Sequence, residues 1–211
     1  DFTSRTKEGL RTMWALSYFS RMRLISNLLD HLRRGESLRR VVCVMAGSRE
    51  GPIDPNDVSG RKVPIRQARG HLSSCITFGL EHFAEMAPEV SFIHDHPGSV
   101  PTKPTRALPP GMASFAVSLS MASGRKISLE ESAERHLFLT TSSRYPPISV
   151  EDRPLARGVP LSAGLRVALS STARVAGGVY TVNSDCVSAD YNTLELLRTM
   201  REQNIPAALW E

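Results

Sequence analysis

The chain has 211 residues, 41% of them apolar and 22% charged, which is enough for one ordinary domain with its own hydrophobic core. No apolar run approaches the roughly 20 residues a bilayer-spanning helix needs, so no membrane span is expected; no secretory signal pattern stands at the N-terminus, which begins at Asp1 rather than Met. The net charge of +5 comes from 26 basic side chains, 22 of them arginine, against 21 acidic ones; they are scattered and aromatics are 6%, so a solvated surface is expected rather than a nucleic-acid face.

Cys43, Cys75 and Cys186 are far apart and form no CxxC pair, so they read as buried reduced thiols and the chain as cytoplasmic. In chain order, Tyr18, Met22, Ile25, Leu29 and Leu32 recur at spacings of four and three and predict a helix over about 7–34, stopped at Gly35. Val41 to Met45 is short, β-branched and continuously apolar, as in a strand buried on both faces of a parallel sheet. Residues 51–60 hold Pro52, Asp54, Pro55, Asn56 and Asp57 and read as loop. A second helix is predicted over 70–87, and Val90 to Ile93 make a second strand. Prolines 101, 104, 109 and 110 open a stretch of small residues expected to cover a site. Ser128 and Glu131 form a capping box for a helix to about Thr141. Residues 148–177 read as mostly irregular, 178–182 as a third strand, and Asn192 and Glu195 as caps of a last helix.

Helices and strands therefore alternate, which predicts an α/β fold with right-handed crossovers: a partial doubly wound parallel sheet, Rossmann-like, of about three strands flanked by helices. A complete sheet of this kind has six or seven strands and a glycine-rich phosphate loop after the first. No G-x-G-x-x-G occurs here, so residues 1–211 read as a single C-terminal portion of such a domain, with the N-terminal dinucleotide-binding half absent. An unpaired sheet edge would then call for a homo-oligomer or a partner chain to cover it.

Four stretches carry a more specific likeness: residues 18–22 (YFSRM), 41–53 (VVCVMAGSREGPI), 80–100 (LEHFAEMAPEVSFIHDHPGSV) and 134–147 (ERHLFLTTSSRYPP). They resemble fungal members of the short-chain dehydrogenase/reductase superfamily, including a subgroup found in secondary-metabolite gene clusters. The resemblance runs from the helix before that family's fifth strand to its seventh, for which residues 177–182 (GGVYTV) stand. It implies a Rossmann domain that binds NADP or NAD and acts on a small hydrophobic ketone or alcohol. The family's P-G-x-x-x-T loop is matched by Pro97, Gly98 and Thr102, with Val100 between them, and these are the implied nicotinamide contacts.

The catalytic set departs from the family. Its tyrosine, four residues before a lysine that lowers the tyrosine pKa, has no counterpart: Tyr18, Tyr145, Tyr180 and Tyr191 are followed four residues on by Met22, Ser149, Ser184 and Glu195. The expected region, Arg66 to Ser74, holds neither residue type. The family's serine aligns with Ala46 and its helix asparagine with Ser17. Ser48 and His71 are the nearest candidates to take over, although a lone histidine at a helix start is more often a cap or a surface group. His94-Asp95-His96 lacks a third ligand and reads as structural, not as a metal site. Gly47-Ser48-Arg49-Glu50-Gly51 has the wrong spacing for a nucleophile elbow; Arg49 reads as a solvated loop residue or as a contact for an anionic ligand. The alternative to an oxidoreductase is a non-catalytic pseudoenzyme, or an isomerase or cyclase that reuses the pocket.

Overall fold

The structure, a computed structural model, describes residues 4–100, 126–149 and 157–210. Its centre is a parallel sheet of β1 (Arg40–Val44), β2 (Ser91–Asp95) and β3 (Val179–Val182), in that spatial order. Val42 pairs with Ile93 and Ile93 with Tyr180, so one register runs across all three strands. The expected α/β sheet of three strands is the one observed.

Side chains alternate across each strand, and this divides the interior in two. Cys43, Phe92 and Val179 pack with Leu72, Ile76, Leu80 and Phe83 of helix α3 (Ile65–Met86), with Met22, Ile25 and Leu29 of α2 (Ser20–Arg33), and with Leu197 and Met200 of α5 (Tyr191–Glu202). Val42, Ile93, Tyr180 and Val182 face the other side, with Leu139 and Phe138 of α4 (Leu129–Thr141) and with Tyr145 and Ala168. The helices thus cover both faces, as the crossovers of a doubly wound sheet require.

The strands differ in how well they are enclosed. Every residue of β2 and β3 is buried, whereas β1, the most continuously apolar, is buried only at Cys43. Bonds from Ser91 N to Arg39 O and from Met45 N to Asp95 O show that odd-numbered residues of β1 turn their amides toward β2. The amides of Arg40, Val42 and Val44 therefore face the opposite edge, where the Arg21 guanidinium donates to the Val44 carbonyl at 2.9 Å and no strand pairs among the described residues. The outer edge of β3 is instead closed by Ser171 N to Val179 O and Ala189 N to Thr181 O.

Several element boundaries differ from the periodicity. The first helix opens as a short α1 (Thr12–Trp14), widens into a π segment (Ala15–Phe19) that contains Ser17, and only then continues as α2. Helix α3 begins at Ile65, five residues before the expected start, because Pro64 supplies an extended N-cap that the apolar stripe does not reveal. Ser128 caps α4 as expected, accepting from Glu131 N at 3.0 Å. For α5 the cap is Asp190, not Asn192: its carboxylate accepts from Thr193 N at 2.8 Å. A four-residue helix, α6 (Ile205–Ala208), follows after Asn204 at φ 59°.

Candidate functional site

In open α/β sheets ligands bind outside the carboxyl ends of the strands, which here are the loops that leave β1 and β2. The β1 loop, residues 45–51, is held in place by a buried carboxylate. The Glu50 side chain is inaccessible to solvent, and its Oε1 accepts from Thr77 Oγ1 at 2.7 Å and from Thr181 Oγ1 at 2.5 Å. Two hydrogen-bond chains converge there. Ser48 N donates to Thr181 Oγ1 at 2.6 Å, and Thr181 passes its own proton to Glu50. Ala46 N donates to His94 Nε2 at 3.3 Å, which leaves that nitrogen unprotonated and assigns the ring proton to Nδ1, 2.9 Å from Thr77 Oγ1. Every bond in both chains points toward an ionised Glu50. Burial alone raises the pKa of its carboxyl group, but the hydrogen bonds from His94, Thr181 and Thr77 outweigh burial and hold the pKa below the usual carboxylate range.

Helix α3 closes the loop from one side. Ser73 Oγ donates to Ala46 O at 2.5 Å, Ser74 Oγ donates to Gly51 O at 2.6 Å, and Gly51 N donates to Gly70 O at 3.0 Å. The backbone contact is close: a β-carbon on Gly51 would lie 2.9 Å from Gly70 Cα. Gly47 is more constrained still, since a β-carbon there would lie 2.0 Å from His94 O and 2.8 Å from Val182 O. Ser48 follows at φ 58°, a backbone conformation that costs a serine energy.

The β2 loop stands beside it. His96 N donates to Val182 O at 3.1 Å, then Pro97 and Gly98 turn the chain, Gly98 at φ 76°. Ser99 bridges Lys126, and Ile127 N donates to Ser99 O at 3.0 Å, so this loop is tied to the lead-in of α4. Pro97, Gly98 and Val100 are thus at the carboxyl edge, all partly exposed. Thr102, and the segment expected to cover the site as far as Arg125, lie outside the described residues.

Three buried polar atoms at this edge lack partners among the described residues. Ser48 Oγ, Glu50 Oε2 and His96 Nδ1 are shielded from water yet make no hydrogen bond among the described residues. Each such atom costs about 1–3 kcal/mol unless a partner from outside the described residues, a ligand or water meets it. Burial lowers the His96 pKa to about 4, and the fields of Arg69 and Arg49 add to the effect, so the ring is neutral at physiological pH.

His71 differs from the expectation of a cap or surface group. It lies in the second turn of α3, 1% exposed, with Nε2 3.0 Å from Val58 O and its ring against Trp14. Burial lowers its pKa, and no hydrogen bond or ion pair joins it to Ser48 among the described residues. The tyrosines are occupied elsewhere. Tyr145 and Tyr180 donate to the carbonyls of Cys186 and Pro146, each at 2.6 Å, and burial raises the Tyr18 pKa, while Tyr191 is 77% exposed at the start of α5. The neighbours His94 and Asp95 point to opposite faces, Asp95 lying 3.1 Å from His136 Nε2 of α4. Glu50, Thr77 and Thr181 escaped the sequence reading. The available signal was an acidic residue inside a glycine-bracketed loop directly after a buried strand.

The chain is 34% identical, over 99% of its length and 62% of the relative's, to an oxidoreductase of Emericella nidulans. It is 29% identical to the NmrA-like family domain-containing oxidoreductase notO of an Aspergillus species, over 97% of this chain and 56% of the relative. A short-chain dehydrogenase/reductase of Stachybotrys chartarum is 33% identical over 45% of this chain and 28% of its own. No family model matches, and no solved structure matches significantly. The chain spans about 60% of the length of the relatives it matches end to end. Over nearly its whole length it is related to fungal oxidoreductases of the NmrA-like and short-chain dehydrogenase/reductase type.

Proposed function

We propose that this chain forms the carboxyl-edge pocket of a nicotinamide-dependent oxidoreductase acting on a small hydrophobic ketone or alcohol of fungal secondary metabolism. The observation that carries the reading is the set of buried atoms without a partner among the described residues, Ser48 Oγ, Glu50 Oε2 and His96 Nδ1, at the edge where such folds bind ligands. Pro97, Gly98 and Val100, with Thr102 beyond them, would hold the nicotinamide of NADP or NAD, which supplies or accepts the hydride when bound. Ser48 presents its hydroxyl from a loop fixed at both ends of the Glu50 network, the kind of preorganised donor that orients a carbonyl oxygen.

A second reading, a non-catalytic or isomerase-like use of the same pocket, is favoured by the absence of any tyrosine on α3 and by the commitment of His71 to the Val58 carbonyl. Calorimetric titration with NADP and with NAD, on chain shown to be folded and monodisperse, tests both. Saturable binding that Ser48→Ala leaves intact, with turnover of a ketone that Ser48→Ala abolishes, supports the oxidoreductase. Binding without turnover supports the second reading, and turnover lost only in His71→Ala moves the acid to that residue. A folded chain that binds neither dinucleotide overturns cofactor use by this chain alone.

A further inference from the structure

The chemistry described so far leaves two arginines at the carboxyl edge unused. Arg49 sits in the β1 loop between Ser48 and Glu50, and Arg69 sits on α3 one residue before Gly70. The crossing of Gly51 on Gly70 brings their backbones together: a β-carbon on Gly70 would lie 2.9 Å from Gly51 Cα and 3.6 Å from the Arg49 carbonyl oxygen. Both side chains are exposed, and neither has an ion pair or a side-chain hydrogen bond among the described residues. They stand close enough for each other's fields to matter. Arg49 disfavours the charged form of Arg69, second to burial, and both disfavour protonation of His96. The carboxylate that senses Arg49 is Asp190, which is already committed to capping α5 through Thr193.

Two guanidinium groups carried on chain segments this close repel, which a shared anion would relieve, and the planar fork of each matches an oxyanion in two bonds. The geometry points to an oxyanion-recognition site formed by Arg49 and Arg69, with His96, whose buried Nδ1 has no partner among the described residues, as a hydrogen-bonding neighbour. This deepens the reading of the carboxyl edge as a ligand pocket and rests on it: the ligand bound there carries a carboxylate or phosphate, and is not a wholly neutral ketone. Either group satisfies the same forks. The carboxylate would belong to the substrate, and the phosphate to the dinucleotide.

Benzoate and inorganic phosphate, titrated separately by calorimetry into the full chain at low ionic strength, test the site. At least one is expected to bind, at least fivefold more weakly in Arg49→Gln and in Arg69→Gln, and with no measurable affinity in the double variant. Arg174→Gln, an exposed arginine in the loop leading to the amino end of β3, is expected to change nothing. The midpoint of the His96 ring, followed by its Cε1 proton resonance, is expected to rise when the site is filled, because the bound anion cancels the two neighbouring charges. Binding of benzoate that NADP does not displace assigns the site to the substrate; binding of phosphate that NADP displaces assigns it to the dinucleotide. The inference is overturned if the folded double variant binds both anions as the parent does, or if the folded parent binds neither. Should the site hold while no dinucleotide binds, the oxidoreductase reading fails and this one stands. Should NADP bind and both arginines prove indifferent to every anion, this one fails alone.

Discussion

Replacing Glu50 by alanine is expected to cost the fold about 3–5 kcal/mol. Its Oε1 accepts two charge-assisted bonds, from Thr77 at 2.7 Å and Thr181 at 2.5 Å, each contributing roughly 1.5–3 kcal/mol. The opposing term is the cost of burying a carboxylate, which the substitution removes. The pKa direction decides between them: Glu50 lies below the ordinary value despite burial, so the hydrogen bonds outweigh desolvation. Alanine also strands the Thr77 and Thr181 hydroxyls in positions 0% and 1% exposed. Glu50→Gln keeps one acceptor oxygen but places an amide group where Oε2 already lacks a partner, and about 1–2 kcal/mol is expected.

Urea unfolding followed by the fluorescence of buried Trp14 measures both variants. The pH dependence is the sharper check. A carboxyl whose folded pKa is depressed contributes stability that is present above its unfolded value, about 4.3, and is lost as pH falls through the folded value. The gap between parent and Glu50→Gln should therefore be constant from about pH 5.5 to 8 and shrink below about pH 4. A cost under about 1 kcal/mol for alanine, or a gap that widens in acid, refutes the assignment of an ionised, bond-stabilised Glu50.

Three further outcomes are expected. Ser48→Gly relieves a serine at φ 58° and removes an unpaired buried hydroxyl, so it should stabilise the chain by about 0.5–1 kcal/mol in the same urea assay while weakening ligand binding; destabilisation beyond about 1 kcal/mol contradicts the strain argument. Asp95 is raised to about 6, chiefly by burial and against the pull of His136 and His94, so the native state holds its proton more tightly than the unfolded chain and stability falls between about pH 4 and 6 by at most on the order of 3 kcal/mol. Asp95→Asn should lack that slope, and unfolding midpoints that track the parent at pH 4, 5 and 7.5 rule it out. Gly47→Ala places a methyl group 2.0 Å from the His94 carbonyl oxygen between two strand ends, and should cost at least about 3 kcal/mol or abolish soluble folding; a midpoint within about 1 kcal/mol of the parent refutes it.

The fold was legible because its signals are local. Continuous apolar runs, the Ser128 capping box and the alternation of elements each report on neighbours in sequence, and each is present in the structure. The early start of α3 and the π segment are different. Pro64 sets the former, and the latter lies where Trp14, Tyr18 and Met22 pack into the core, with the Met22 sulfur 2.4 Å from where a β-carbon on Gly79 would lie. Glu50 was illegible for a related reason. Its partners are 27, 44 and 131 residues away along the chain, and nothing in a five-residue loop announces that a carboxylate turns inward rather than toward water. His71 misled in the opposite direction, because helix position alone does not reveal Trp14 and the Val58 carbonyl waiting to enclose it.

A group already spent on the fold is not free for a ligand, and this narrows what the edge can do. On the α3 stretch where the family resemblance implies a tyrosine and a lysine, Ser73 and Ser74 bind the loop carbonyls of Ala46 and Gly51, and His71 binds that of Val58. Thr77, Thr181 and His94 are consumed by Glu50 and the Ala46 amide. Among the described residues, the two loops and the facing turn of α3 leave unspent the Ser48 hydroxyl, Glu50 Oε2, one ring nitrogen each of His71 and His96, and the guanidiniums of Arg49 and Arg69. None of these is a ready proton donor near neutral pH in the way a lysine-paired tyrosine is, since His96 is neutral and arginine does not give up its proton. Together they form a set suited to holding and polarising an oxygen-rich ligand. If the edge reduces a carbonyl, the route that the described residues offer for the proton runs through Ser48 from water or from the ligand itself, and a solvent isotope effect on turnover that Ser48→Ala removes would show that route in use.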